Sequence, residues 1–548
     1  MRTALVLFVF GLALRLCFWL GAPDRAMAWD VAFQGDAPLW QELATKTAQG
    51  VPDELLRLPL RPPGMQWLVS TLWNGDPATA WHLRLLFAAL GATVAPLLFL
   101  LLRRHQGEPR AALTGGLCAA ATPLLLLSSG LHSELPYLVL LLLSLFDQER
   151  LRTSPTAVAA LRWGLLHAAM VLLRAEHTLT FVALLAVLAL QRAPQLAPQL
   201  ARSLSLALGA AFAALLPWQL HAAALVADYN TAGAPTLPPA GHATPGGLPW
   251  TADALARLRT LPAFQQGPVF GFVQDTQRVR GAREVTAPDL DVVVQAYGCW
   301  PEPLPTPFVC LYGGLNFFLA NTPEADGGFS NAALDRPPPL TGGDERYPPS
   351  LRNVLPRGGQ LALSYPPHLH ALEHGYALGL HELGADPLAG AGRIATKLHH
   401  AAAGALPGLG GYNLPIGLSG ERRAVDMVVA SGWWPEVWRA LVLLTAAAGL
   451  WRLRREPWLW PWLVVAATKL VVVAGFFGYA RQGALLVPVV AIGLAACCPR
   501  VPRARTLLLV CVALVAVEAW RAFTVEVLVD GQPPTAAVDH APHAVDYR

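Results

Sequence analysis

Long apolar segments separated by short polar stretches run through most of the chain. About eleven of them approach or reach the roughly 20 residues that an α-helix needs to cross the hydrocarbon layer of a bilayer. They cover residues 3–22, 79–102, 111–128, 132–147, 156–173, 176–191, 203–225, 435–451, 457–476, 482–498 and 505–524. Segment 132–147 is short and segment 156–173 contains Arg162, so these two are the weakest. The pattern predicts an all-α protein that crosses a membrane about eleven times.

The composition fits this prediction. Of the 548 residues, 54% are hydrophobic and only 14% are charged, and the mean hydropathy is +0.41. A soluble domain carries about 25% charged residues. The formal net charge of +4 is modest, so we expect a lipid bilayer around the protein and no nucleic-acid partner. The first apolar segment follows Arg2 and has no clear small-residue cleavage site, which favours a retained helix over a signal peptide.

The distribution of arginine predicts the orientation. If the N-terminus is cytoplasmic, the short cytoplasmic loops carry Arg103, Arg104, Arg110, Arg150, Arg152, Arg192, Arg202, Arg452, Arg454, Arg455, Arg500, Arg503 and Arg505. The short outer loops hold little beyond Arg174 and Arg481. Because cytoplasmic loops of membrane proteins are enriched in Lys and Arg, we expect this orientation. In a bacterial cell it corresponds to the inner membrane, with the outer loops in the periplasm.

This topology divides the chain into four parts. Residues 1–225 form an N-terminal membrane module that includes a first outer loop at 23–78. Residues 226–434 form a large outer loop, which is too long for a structureless connection and predicts a partly folded cap. Residues 435–525 hold the last membrane helices, and residues 526–548 form a disordered outer tail.

Two of the seven cysteines lie in the large outer loop. Cys299 and Cys310 are the first and last residues of the stretch "CWPEPLPTPFVC". The other five cysteines lie in or beside apolar segments and suit ordinary packing. Outside the cytoplasm a disulfide between this pair is favoured, with two free thiols as the alternative.

The first outer loop contains candidate chemistry. Asp36 precedes an amphipathic segment in "GDAPLWQELATKTAQG", and Arg61 precedes a second one in "LPLRPPGMQWLVSTLW". Two short interfacial helices would hold both residues near the lipid headgroups. There a carboxylate can act as a general base, and an arginine can bind a phosphate through its planar fork. The alternatives are that Asp36 caps a helix and that Arg61 is a snorkelling side chain.

More ionisable residues recur at the predicted outer ends of helices. They are His132, Glu134, Arg174, Glu176 and Arg481. Such groups are costly near a membrane and often functional, so together they indicate a polar chamber just outside the bilayer, although each could serve only as a structural partner of another. No cofactor is required by the sequence, but a divalent metal at Asp36, Glu134 or a loop histidine remains an open alternative.

The order of several motifs resembles a known family. "GDAPLWQELATKTAQG" and "RPPGMQWLV" are followed by "SSGLHSELPYLVLLLLSLF", "LLPWQLHAAALVADYNTAGAP", "YGGLNFFLANTPEADGGF", "HGYALGLHELGADPLAGAGRIATKLHHA" and "YARQGALLVPVVAIGLAA". This order, over roughly residues 5–500, is similar to the GT-C membrane glycosyltransferases, and in particular to glycosyltransferase family 39. That family includes bacterial protein O-mannosyltransferase-like enzymes and the aminoarabinose transferase of lipid A.

The resemblance implies a GT-C-like helical bundle and an enzyme that moves a sugar from a polyprenyl-phosphate donor to an extracytoplasmic acceptor, whether protein, lipid or glycan. It implies that Asp36 is the catalytic carboxylate, with Asp30 a weaker, off-register candidate, and that Arg61 contacts the donor phosphate. Arg481, Arg174 and Lys397 are further candidates for stabilising the phosphate charge.

Two rival functions remain at this stage. One is a transporter or flippase, for which we expect charges in mid-membrane and paired half-repeats. The other is a non-catalytic subunit of an envelope polysaccharide export system. The sequence places its ionisable groups mainly at predicted helix ends and shows no internal repeat, which favours the transferase.

Overall fold

The fold is that of a computed structural model of the full chain. It describes residues 1–21, 37–49, 58–73, 75–76, 79–128, 130–191, 197–243, 246–325, 327, 330–336, 361–363, 365–406, 433–478 and 480–498, with single positions between 506 and 516. The described part of the chain is helical and contains no strand, and an isolated β-bridge joins Trp250 and Val285. The predicted all-α class is therefore confirmed.

The chain forms two compact units, and two helices run from one unit into the other. Of the described residues, the first unit holds those within Met1–Val51, Pro62–Leu216 and Ile394–Pro542, and the second holds those within Pro52–Arg61 and Pro217–Arg393. Helix α10 (Ala197–Thr231) passes from the first unit into the second at Pro217, and helix α16 (Pro387–Gly404) returns the chain to the first unit at Ile394.

The first unit contains most of the apolar helices. They are α1 (Arg2–Gly21), α2 (Ala37–Gln49), α3 (Gly64–Ser70), α4 (Ala80–Gln106), α5 (Glu108–Ala119), α6 (Thr122–Leu127), α7 (Glu134–Thr153), α8 (Ala157–Leu173), α9 (His177–Leu190), α17 (Trp433–Arg452), α18 (Trp460–Gly475), α19 (Ala480–Gly483) and α20 (Val487–Cys497), with the matching parts of α10 and α16.

Three helices among the described residues are long and apolar enough to cross a membrane: Trp81–Gln106, Pro198–Thr231 and Pro457–Gly475. Shorter apolar helices cover Ala157–Leu173, His177–Leu190 and Arg481–Cys497. The number of crossings in the full bundle stays a prediction.

Two predicted segments that contain a proline differ from the observed helices. The predicted span 111–128 is divided into α5 and α6, with Pro123 in the first turn of α6. This is the position at which proline is tolerated, because its missing N–H would have no helical partner there. By contrast, α10 continues through Pro217 to Thr231, beyond the predicted end at residue 225.

Glycines allow close helix packing in the first unit. A Cβ atom added to Gly449 in α17 would clash with the backbone of Gly493 in α20, and one added to Gly493 would clash with the backbone of Ala446. Small residues that let two backbones approach are the usual means of joining helices in a membrane, where no hydrophobic driving force acts between them.

The second unit shows that much of the predicted outer loop is folded. Its helices are the remainder of α10, α11 (Ala252–Leu258), α12 (Ala263–Val279), α13 (Asp291–Tyr297), α14 (Tyr312–Asn321), α15 (Pro366–Ala385) and the beginning of α16. Trp250, Leu258, Val273 and Leu290 are fully buried in one apolar cluster. Helices α14 and α15 pack together where Gly375 lies against Gly314.

The predicted disulfide is not formed in the structure. No disulfide joins Cys299 to Cys310. Cys299 is buried in the apolar cluster of the second unit, and its Sγ lies 3.9 Å from the carbonyl oxygen of Tyr297. Burial raises the pKa of this thiol to about 12, which keeps the reactive thiolate scarce at neutral pH.

Candidate functional site

Arg174 is the centre of a buried polar cluster in the first unit. Its Nη1 donates to Glu134 Oε1 at 2.7 Å and to Ser133 Oγ at 3.0 Å. Its Nε donates to Glu176 Oε1 at 2.5 Å, and its Nη2 donates to Gln482 Oε1 at 2.8 Å. The guanidinium group therefore links residues that are far apart in the sequence.

The ends of three helices bring these side chains together. Arg174 follows the last residue of α8, where a cation complements the helix dipole. Glu134 is the first residue of α7 and Glu176 is the N-cap residue of α9, where negative charge is favoured. The sequence thus places each charge at the helix end that stabilises it.

Two more cations complete the cluster. Lys469 of α18 has its Nζ 3.6 Å from Glu176 Oε1 and 4.3 Å from the ring centroid of Tyr137. Arg481 of α19 has its Nε 3.9 Å from Glu134 Oε1. With the central arginine, three cations face two carboxylates among the described residues of the cluster, so its formal charges leave an excess of positive charge.

The members of the cluster differ in exposure. The side chains of Glu134 and Lys469 are each 2% exposed, whereas those of Arg481 and Glu176 are 14% and 22% exposed. Of the three cations in the cluster, Arg481 is therefore the one most exposed to solvent.

Arg174 is held as a fixed cation. Burial disfavours its charge, but the nearby carboxylates of Glu176 and Glu134 outweigh burial and raise its pKa above the ordinary value. Four of its five N–H groups already donate to protein oxygens. These contacts suit a residue that positions the two carboxylates better than they suit a residue that binds a ligand directly.

A chain of hydrogen bonds extends the cluster into the helices. The hydroxyl of Tyr137 lies 2.9 Å from His177 Nδ1, and His177 Nε2 lies 2.7 Å from His167 Nδ1. All three side chains are buried. Each imidazole can donate through one nitrogen and accept through the other when it is neutral, so the chain can be satisfied without a charge on either histidine.

The structure brings together four of the predicted site residues: Glu134, Arg174, Glu176 and Arg481. His132 lies close enough to act electrostatically on Glu134. Asp30 and Asp36 lie outside the described residues, so the predicted catalytic carboxylate has no described position.

Arg61 and Lys397, the other predicted phosphate contacts, have described contacts outside the Arg174 cluster. In the second unit, Leu60 accepts a hydrogen bond from the amide of Tyr312 at 3.1 Å, and the guanidinium of Arg61 lies 5.5 Å from the Tyr312 ring centroid. Lys397, in the first unit, is fully buried, and its Nζ donates to the carbonyl oxygen of Ala474 at 3.3 Å. That carbonyl lies at the C-terminal end of α18, where a cation is favourable.

Sequence reasoning missed Lys469. It stands within the predicted span 457–476, and an ionisable residue inside an apolar span is itself a signal of function or pairing. Arg15 is a second example, since it is buried in α1 and its Nε donates to Ser128 Oγ at 2.9 Å. The expectation that ionisable groups lie mainly at helix ends is therefore wrong for these two residues.

Comparison of the chain with protein-family models, with curated proteins and with solved structures gives no match.

Proposed function

We propose that the protein is a membrane glycosyltransferase that moves a sugar from a polyprenyl-phosphate donor to an acceptor outside the cytoplasm. The observation that supports this most is the cluster of three cations and two carboxylates around Arg174. The arginine distribution predicts that these helix ends face outward, which for a bacterial inner membrane is the periplasm. An acceptor hydroxyl or amine and a lipid-linked sugar would meet there.

The donor phosphate is the group that this cluster suits. Arg481 is the most exposed of its three described cations, and a guanidinium fork can hold two phosphate oxygens at once. Arg174 and Lys397 are already engaged by protein oxygens, so we now assign them positioning roles in place of direct contact with phosphate. Arg61 belongs to the second unit, and its role as a phosphate contact rests on the resemblance to family 39 alone.

The reaction is a direct displacement at the anomeric carbon. The acceptor oxygen or nitrogen forms the new bond while the bond between that carbon and the phosphate oxygen breaks. Asp36 takes the acceptor proton, and the cations stabilise the departing lipid phosphate. The proposal needs no nucleotide, because the lipid phosphate is itself the leaving group.

The test is consumption of a radiolabelled polyprenyl-phosphate sugar by the purified protein, with an envelope extract as the source of acceptor. We expect Asp36→Asn to lower turnover by roughly 100-fold or more, the scale of a general base, and Asp30→Asn to change it little. Arg481→Ala should raise the KM for the donor by about 10-fold or more, the cost of a hydrogen bond to a charged group. No consumption by the unaltered protein would reject the transferase.

A lipid flippase is the second candidate, because one observation favours it. Lys469 lies in the middle of α18 and Arg15 lies within α1, and buried charges inside apolar helices are typical of transport pathways. Liposomes that contain the protein and a fluorescent polyprenyl phosphate separate the two functions. A flippase would move the lipid between leaflets without any acceptor, whereas the transferase would leave its distribution unchanged.

A further inference from the structure

Three side chains with metal-binding atoms converge in the second unit, and we assign none of them to transfer. Glu302, Glu373 and His374 each offer one ligand atom, and these atoms all lie within 4.8 Å of one another. Glu302 Oε2 lies 2.8 Å from His374 Nε2. The carboxyl group of Glu302 also contacts that of Glu373. Two carboxylates at this separation repel each other unless a proton or a cation lies with them.

A second histidine stands one helical turn before the first. His370 and His374 are four residues apart on α15, so they lie on the same face of the helix. Their ring centroids are 4.6 Å apart. Glu373 lies between them in the order His-x-x-Glu-His, one of the arrangements in which a single helix offers two imidazoles to one zinc ion with a glutamate beside them.

Two buried atoms in this group make no hydrogen bond to any described residue. They are His370 Nδ1 and Glu373 Oε2. A buried polar atom without a partner costs free energy, and in native structures such an atom calls for an explanation such as an ion. Both atoms belong to residue types that bind divalent metals.

Rigid backbone holds the two sides of the group in place. Glu302 stands between Pro301 and Pro303, and each proline restricts its own backbone and that of the residue before it. On the other side, Gly375 directly follows His374 and packs against the backbone of Gly314. A side chain larger than hydrogen at Gly375 would push α15 away from α14. Preorganised ligands of this kind lose little freedom when a metal binds.

We propose that Glu302, Glu373 and His374, with His370 completing the set, bind one divalent transition-metal ion. The mixture of imidazole nitrogen and carboxylate oxygen suits Zn²⁺, which takes ligand sets of two histidines and a glutamate. The side chains of Glu302 and His374 are each 40% exposed, so the ion would remain open to water and would exchange with the solvent.

The test uses the full-length protein, purified without a histidine tag. Because His540 and His543 in the tail offer a competing site, both are replaced by alanine in every sample. The protein is stripped with a chelator, loaded by dialysis against ZnCl₂, and its zinc is measured by mass spectrometry. Competition with a chromogenic chelator gives the affinity. We expect one zinc ion per chain and a rise in melting temperature on adding zinc, since a ligand that binds only the folded state stabilises it.

Two variants and a control locate the site. Glu302→Gln keeps the shape of the side chain and can still hydrogen-bond, and His374→Ala removes an imidazole. Each should weaken zinc binding by at least about 10-fold, the smaller of the losses seen when a metal site is disturbed, and should abolish the rise in melting temperature. His242→Ala, an exposed histidine of the same unit, should bind zinc as before. Absence of zinc after loading, or unchanged affinity in both site variants, would overturn the proposal.

Discussion

Arg174 illustrates how one residue holds several segments together. Its removal would leave Glu134 buried, with only the longer ion pair to Arg481, at 3.9 Å, among its described ion pairs. Breaking a buried ion pair from one side is costly because the remaining charge stays desolvated. We expect Arg174→Met to lower the free energy of unfolding by about 3 kcal/mol, measured by thermal unfolding in detergent.

The control is Lys46→Met, which removes a partly exposed cation from helix α2. Lys46 Nζ lies 2.8 Å from Glu42 Oε1 in the same helix, and the two side chains are 29% and 52% exposed. We expect a loss of less than about 1 kcal/mol, the scale of a solvent-exposed pair. Equal losses in the two variants would contradict the central role of Arg174.

Single residues also show how far the sequence could predict the site. Glu134, Arg174, Glu176 and Arg481 could be selected, because a charge beside an apolar segment is costly and needs a purpose. Their pairing could not be predicted, since it depends on which helix ends meet in three dimensions. Lys469 became recognisable only when the structure placed α18 beside the start of α9.

At the scale of whole helices, glycine decides how closely two of them can pack. Gly493→Ala places a methyl group against the backbone of Ala446, which cannot give way without moving a helix. Overpacking of this kind costs about 1–3 kcal/mol. Gly209→Ala, on α10, meets nothing within 4 Å, so it should be neutral or stabilising by up to about 1 kcal/mol through helix propensity. Thermal unfolding of both variants gives the comparison, and a stable Gly493→Ala protein would show that the contact is loose.

An ion-pair network joins three elements of the second unit. Arg336 donates to Glu324 at 2.9 and 2.7 Å and to Glu382 of α15 at 2.7 Å. The hydrogen bonds from Arg336 hold the pKa of Glu324 below its ordinary value. A carboxylate with a lowered folded-state pKa stabilises the protein above its unfolded-state pKa of about 4.5 and loses that contribution as the pH falls.

Replacing Arg336 with methionine should therefore destabilise the protein at pH 7, and the loss should shrink as the pH falls below about 4.5. The difference at pH 7 should be no more than about 1 kcal/mol, because the pair is about one-third exposed and solvent screens it. Thermal unfolding of the two proteins across this pH range measures the effect. A difference that stays constant with pH would mean that Arg336 acts by packing and not by charge.

Elements differ in how well the sequence predicts them. Apolar segments located nearly every helix of the first unit, because length and hydropathy are local properties of the sequence. The second unit was predicted only as a partly folded cap, since its core joins residues as distant as Trp250 and Tyr365. The disulfide was mispredicted for the same reason. The spacing of Cys299 and Cys310 does not reveal that the Cys299 thiol is buried in an apolar cluster.

At the scale of the whole molecule, the proposed function depends on the direction in which the chain crosses the membrane. Three of the described helices are long and apolar enough to cross a membrane, and the arginine distribution predicts the direction. The proposed chemistry depends on that direction, because a lipid-linked sugar and an extracytoplasmic acceptor must reach the same surface as the Arg174 cluster. A cytoplasmic location of that cluster would leave Asp36 and Arg481 without their proposed substrates.

Cysteine labelling in intact cells tests the direction with exposed positions on both sides. Arg283→Cys and His242→Cys, in the second unit, should react with a thiol reagent that does not cross the membrane. Arg104→Cys and Arg455→Cys, in loops predicted to be cytoplasmic, should react only after the cells are opened. Each is made after the native cysteines have been replaced by serine. Labelling of Arg104→Cys from outside would reverse the topology, and with it the assignment of Asp36 as a base that serves an extracytoplasmic acceptor.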